Sequence, residues 1–183
     1  MPYLEIEKKN IIFDSKVQMY CNNPKFKCPN YNHSWACPPV SPYLEEEFSL
    51  YKKFFLIYYQ FDLDRYISDN KKNHPKRSKE KILQSFYRNS YMRNHLEREM
   101  IHFLEENNGN YDENLVLWDG SCRLCYKKNQ KCTYDEGTPC RYVPRYSMEA
   151  VGINVDKTVK NAGFELEWPP THFAYRFGLV CLK

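Results

Sequence analysis

The stretch GSCRLCYKKNQKCTYDEGTPCR, residues 120–141, carries Cys122, Cys125, Cys132 and Cys140. Cys122 and Cys125 form a C-x2-C pair, a spacing that lets two thiolates converge on one ion or on one corner of a cluster. Four soft sulfur donors on one loop suit zinc or an iron–sulfur cluster. They suit Mg2+ and Ca2+ poorly, because those ions take oxygen. A second group, Cys21, Cys28 and Cys37, precedes them by 84 cysteine-free residues, and Cys181 stands alone near the end. Three thiolates are one short of a tetrahedral set. The candidates for the fourth position are His33, Cys181, solvent and a substrate, and an open position is where metal sites do chemistry. The simpler readings are a solvated loop residue for His33 and a buried strand residue for Cys181, since free cysteine packs as a small hydrophobe.

Disulfides are the competing use of so many thiols. The first residues, MPYLEIEKKN, lack the apolar core of a secretory signal, and the longest apolar run, FFLIYY at 54–59, is far too short to span a bilayer. These features predict a cytoplasmic protein, in which thiols stay reduced and cysteine clusters hold metals. Spacing leaves the metal open. A zinc ribbon has two C-x2-C knuckles and this loop has one, while the bacterial ferredoxin run C-x2-C-x2-C-x3-C-P is not met either. Arg123, Lys127, Lys128, Lys131 and Arg141 lie among the cysteines and offset thiolate charge for either metal.

The elements that must hold these loops follow from composition and periodicity. The chain has 183 residues, 42% hydrophobic and 27% charged, with a formal net charge of +4. That fits one globular domain over 1–183, with a front cysteine loop at about 20–42 and a back loop at about 120–146. The mild basicity does not imply nucleic acid. The Lys/Arg-rich run KKNHPKRSKEK at 71–81 reads as a solvated helix start rather than a nucleic-acid surface. Residues 3–14 predict two short extended runs, and the prolines of 21–42 predict an irregular loop. YLEEEFSLY, after Ser41-Pro42, predicts a short acidic-first helix, and KFFLIYYQFDL a buried strand. Residues 75–107 predict helix, with Leu96, Met100, Phe103 and Leu104 on one face and Asn107 to Gly109 as the stop. NLVLW predicts a strand leading into the back loop. Ser147 caps a turn through Glu149 and Ala150, and Asp156 caps a second helix that stops at Gly163. FELEW and HFAYRFGLVCL predict a final strand pair. Too little chain separates them for a parallel crossover, so the predicted class is α+β, a mixed or antiparallel sheet packed by helices. Glu149 reads as a carboxylate answering a helix dipole, with a ligand or a base as the alternatives. No Gly-rich phosphate loop, G-x-S-x-G or H-E-x-x-H is present.

The two cysteine loops resemble a known family, the predicted metal-binding proteins called domain of unknown function 2284. The resemblance rests on Cys21 through CPNY to WACPP in front, then GSCRLC at 120–125, PCR at 139–141 and SMEAVGINV at 147–155. It implies metal binding, an iron–sulfur cluster first, and no established activity. The interval from Cys125 to Cys140 is longer than that pattern leads one to expect, which bears on Cys132 as third ligand. SMEAVGINV is expected to pack the back loop onto the core. The leading expectation is an iron–sulfur protein holding one or two [4Fe–4S] clusters, through Cys122, Cys125, Cys132 and Cys140 and in front through Cys21, Cys28 and Cys37. It would move electrons or serve a redox enzyme, with a redox partner protein and no membrane. The alternatives are a zinc-stabilised binding module without redox activity, and an enzyme that uses an open front site.

Overall fold

The computed structural model describes residues 2–88 and 90–183. Its centre is a strand pair of ten residues each. β4 (Lys53–Asp62) and β6 (Phe173–Leu182) run antiparallel, with Lys53 opposite Leu182 and Asp62 opposite Phe173. β1 (Tyr3–Ile6) pairs with the outer side of β4, and β5 (Asn114–Leu117) with the far side of β6, giving the order β1-β4-β6-β5, all antiparallel. The class is α+β.

Two faces of this sheet are covered, which is why FFLI at 54–57 is a continuous apolar run and not an alternating one. Phe55, Ile57, Val180 and Leu182 face α4 (Tyr91–Glu106) and meet Leu96, Met100 and Phe103. Those three helix residues recur at i, i+4 and i+7, one stripe of an amphipathic helix. Fully burying each contributes about 1.5–3 kcal/mol. Gly178 lets the helix come close, because a Cβ there would overlap the Met100 thioether and press on the Leu117 carbonyl. On the opposite face Phe54, Leu56, Leu179 and Cys181 pack against Phe48, Met148, Val151, Ile153 and Val159. This second layer is mostly loop, with a four-residue helix α1 (Lys16–Met19) and α5 (Val155–Asn161) as its regular elements. Cys181 is fully buried there, as expected of a strand cysteine.

Several local expectations need correction. Residues 63–74, for which the sequence pattern predicts no element, form α2 (Leu63–Asn73), capped by the Asp62 side chain on the Arg65 N–H at 2.8 Å. The predicted helix 75–107 begins only at α3 (Lys79–Arg88) and continues as α4; position 89 lies outside the described residues. The basic run therefore spans the end of α2, a turn and the start of α3. The acidic segment after Pro42 winds only into a 3-10 turn at Glu47–Leu50. Asn154, not Asp156, caps α5 by accepting the Lys157 N–H at 3.1 Å. FELEW is not a strand. Its Phe164 and Leu166 instead pack on the core beside α5, so burial and not a ladder holds that segment. The front loop is irregular apart from a small hairpin, β2 (Asn22–Asn23) with β3 (Phe26–Lys27). β5 covers only Leu179–Leu182 of β6. Phe173–Gly178 have no strand on that side among the described residues.

Candidate metal centre

The back loop leaves the sheet at the end of β5 and returns beside the point where it left. Trp118 donates its N–H to the Tyr146 carbonyl at 2.7 Å and forms a parallel bridge with Ser147. Gly120, at φ +62, makes the exit turn. One side of α4 grips both ends of the loop. Arg93 donates to the Ser121 carbonyl and Asn94 accepts from Arg123 at 3.1 Å. Glu97 takes Arg123 at 3.1 Å, Lys127 at 2.6 Å and Arg145 at 2.5 Å, and Arg145 also lies 3.9 Å over the Trp118 ring. Burial pushes the Glu97 carboxyl up, but the Lys127 and Arg145 hydrogen bonds outweigh it and hold the group below the usual carboxylate range.

The eight cysteines are free thiols. Cys122, Cys125, Cys132 and Cys140 line one cavity of about 300 Å3. A 3-10 turn at Tyr126–Lys128 follows Cys125, whose carbonyl accepts from Lys128 at 2.9 Å and Gln130 at 3.0 Å. Arg141 returns to the Lys131 carbonyl at 2.9 Å, next to Cys132 and Cys140. The other wall belongs to the front loop, through His33, Ser34, Trp35 and Ala36.

The two cysteine loops are thus one assembly. Trp35 Nε1 donates to Thr133 Oγ1 at 3.2 Å and to the Thr138 carbonyl at 3.1 Å, and its ring meets Tyr134 edge-on. Tyr134 donates to Asn32 at 2.7 Å, and His33 pairs with Asp135 at 2.9 Å. His33 is exposed, engaged with that carboxylate, and on the wall of the thiol-lined cavity. Replacing Trp35 by Phe removes the indole N–H and both its bonds. We expect a loss of about 1 kcal/mol, measured as a lower urea midpoint, with faster hydrogen exchange in the 133–138 turn.

In front, the Cys28 N–H donates to the Cys21 carbonyl at 2.9 Å. Burial, and after it the neighbouring Cys28 and Glu149, push the Cys21 thiol up. Burial pushes Cys37 up to about 11, with Cys28, Cys21 and Cys122 adding to it against a Ser34 hydrogen bond. The neighbouring thiols thus add to burial in holding Cys21 and Cys37 protonated. A bound cation reverses that balance and favours thiolate. Cys181 is distant in role, sealed in the core and raised by burial alone. Among the described residues no three His, Cys, Asp or Glu side chains stand close enough together to hold one metal ion.

The SMEAVGINV segment does more than close the back loop. Ala150 accepts from Ser41 Oγ at 2.7 Å and Gln18 Nε2 at 2.8 Å, and Val151 accepts the Leu44 N–H at 3.2 Å, so it also holds the front loop. The Ser147 hydroxyl accepts the Ala150 N–H at 3.2 Å, as expected of a cap. Glu149 lines a cleft, its carboxyl desolvated by the protein around it. Burial pushes its carboxyl up, against hydrogen bonds from its own N–H and from Ser147. Glu97, Trp35, Thr133 and Arg93 are the positioning residues that the sequence did not single out. Glu97 sits one residue from the apolar stripe of α4, where a charged residue ordinarily meets only water, so nothing in the pattern marked it.

A family model described as a predicted metal-binding protein, domain of unknown function 2284, matches residues 4–182. The chain belongs to this family. Membership in domain of unknown function 2284 fits the thiols on both loops and covers the sheet that carries them. Neither the curated proteins nor the solved structures gave a match. Among the described residues no helix is long and apolar enough to cross a membrane.

Proposed function

We propose that this member of the metal-binding family holds an iron–sulfur cluster of the four-iron type and serves as an electron-transfer or redox-accessory protein. The observation that supports the reading is the arrangement of Cys122, Cys125, Cys132 and Cys140. Four free thiols line one cavity of about 300 Å3. A tetrahedral zinc ion with bonds of about 2.3 Å needs its sulfurs roughly 3.8 Å apart. A cavity of about 300 Å3 lined by four soft donors has room for a guest made of several atoms. Such a cluster, when bound, supplies one-electron chemistry at a potential set by charge, hydrogen bonds to sulfur and exposure.

The chain's own residues suit that role. Trp35, Ala36, Leu124 and Pro144 wall the cavity and limit water. Arg123, Lys127 and Arg145 share the single carboxylate of Glu97, leaving surplus positive charge beside the thiols. Lys128, Lys131 and Arg141 are exposed around the cavity, which favours an acidic redox partner protein. The front thiols Cys21, Cys28 and Cys37 are the ligands of a second centre in this reading.

Anaerobic purification is the test. Brown protein with iron and acid-labile sulfide in equal amounts is the expected result. Cys125→Ala should lose the back cluster, and Cys28→Ala should lose iron only if the front centre exists. Colourless protein with stoichiometric zinc and no sulfide would reject the proposal.

A further inference from the structure

One concavity of the described chain is not lined by the loop cysteines. It is a cleft of about 760 Å3, within the size range of small-molecule sites. It opens where β6 runs on past the end of β5, along the Phe173–Gly178 segment that lacks a neighbour strand. Buried Phe177, Ala174, Met148 and Met92 form its inner wall, and the more exposed rings of Trp168, Phe173 and Tyr20 stand at its mouth. Flat rings around an apolar floor suit a planar body.

One end of the cleft is polar and uneven in charge. Arg93 and Arg176 both reach Asp119, Arg176 Nη1 at 3.2 Å and Arg93 Nε at 4.0 Å, and Glu149 lines the same cleft and also acts on Arg176, its carboxyl pushed by burial toward the neutral form. Arg93 is further tied to the Ser121 carbonyl. Arg176 is not: its side chain is 45% exposed, and Asp119 occupies a single Nη1 donor. The acids nearer the mouth are already engaged. Asp156 accepts Lys160 at 2.9 Å, and Glu167 takes the Thr171 N–H at 3.2 Å and the Thr171 hydroxyl. The second oxygens of Asp119 and Asp156 are buried and have no hydrogen-bond partner among the described residues. A guanidinium with spare donors at the end of an aromatic cleft matches a carboxylate, which it can hold through two parallel N–H bonds.

We propose that the cleft binds a small organic carboxylate with a planar aromatic body, its carboxylate on Arg176 and its ring between Trp168 and the Phe173–Phe177 wall. This site stands independently of which metal the cysteines hold, although Glu149 and Gly120 bring the cleft up to both thiol loops.

The test is isothermal titration of the full purified chain, carrying whatever metal it acquires, with indole-3-carboxylate, indole-3-carboxamide and tryptamine. The carboxylate should bind saturably at one site and at least about tenfold more tightly than the amide or the amine. Arg176→Gln should weaken the carboxylate by about tenfold or more and leave the amide nearly unchanged. Trp168→Ala, at a position 75% exposed and so safe for folding, should weaken carboxylate and amide alike. Equal binding of the three probes, no binding by any, or an unaltered carboxylate affinity in Arg176→Gln would each overturn the proposal. If Arg176→Gln fails to fold, the wild-type ranking and Trp168→Ala decide. Iron and sulfide are assayed on the same samples, so loss of the cluster reading and loss of this one are told apart.

Discussion

Replacing Glu97 by Ala should cost about 3 kcal/mol of stability and loosen the back loop from α4. The carboxylate is only 13% exposed and is shared by Arg123, Lys127 and Arg145. Removing it leaves three cations facing each other, two of them partly buried. Breaking a buried ion pair from one side is costly for this reason, at roughly 3–5 kcal/mol. Partial exposure of Lys127 and Arg145 puts the expected value at the lower end. Urea unfolding measures it. The four groups act as a unit, so Arg123→Gln should cost much less in the Glu97→Ala background than in wild type. The pH dependence gives a second measurement. The folded Glu97 carboxyl lies below its unfolded value of about 4.3. Its contribution is therefore complete above that value and is lost as pH falls through the folded one. Glu97→Gln should flatten that acid-side loss, and an acid limb identical to wild type would show that Glu97 does not carry it.

Gly152→Ala should be about as damaging, at roughly 3–4 kcal/mol, for a steric reason. Gly152 ends the 3-10 turn Glu149–Val151 at φ +94. Left-handed backbone costs a residue with a Cβ about 1–3 kcal/mol. Here the added Cβ would also overlap the Tyr43 ring, and overpacking adds about 1–3 kcal/mol. The Gly152 carbonyl accepts the Asp14 N–H at 2.8 Å, so the displacement spreads to the chain entering α1 and the front loop. Gly137→Ala is the control. Gly137 has φ +65, and a methyl added there would meet nothing within 4 Å, so it should show the backbone cost alone. Equal losses in the two variants, read from thermal and urea unfolding, would remove the role assigned to Tyr43.

How much of this was legible in the sequence depends on the range of the interaction. β4, β5 and the α4 stripe were legible because apolar periodicity records burial directly. The stop of α4 at Asn107 and of α5 before Gly163 were legible because turn residues act within a few positions. α2 was hidden: its DRYISDNKKN is polar nearly throughout, and the Asp62 cap is a signal only once the end of β4 is known. FELEW misled because alternation marks a face, not a partner. Phe164 and Leu166 bury themselves without joining a ladder. At the site, the cysteines announced themselves by type and spacing. The joint between their loops did not, since Trp35, Thr133, Asn32 and Tyr134 are ordinary residues whose meeting depends on the whole sheet. The cleft was equally hidden. It arises from β6 outrunning β5, a difference in strand length that no local window contains.

The joint between Trp35 and Thr133 spans 98 positions of chain, and that separation bears on how the protein matures. On a ribosome adding about 5–20 residues per second, Cys37 is made roughly 4–17 s before Cys122. During that interval the early sulfurs have no partner loop, and soft ions such as copper can capture them first. In the proposed two-loop arrangement, loading would then follow synthesis of the back loop, whose first cysteine is made about 85 residues after Cys37.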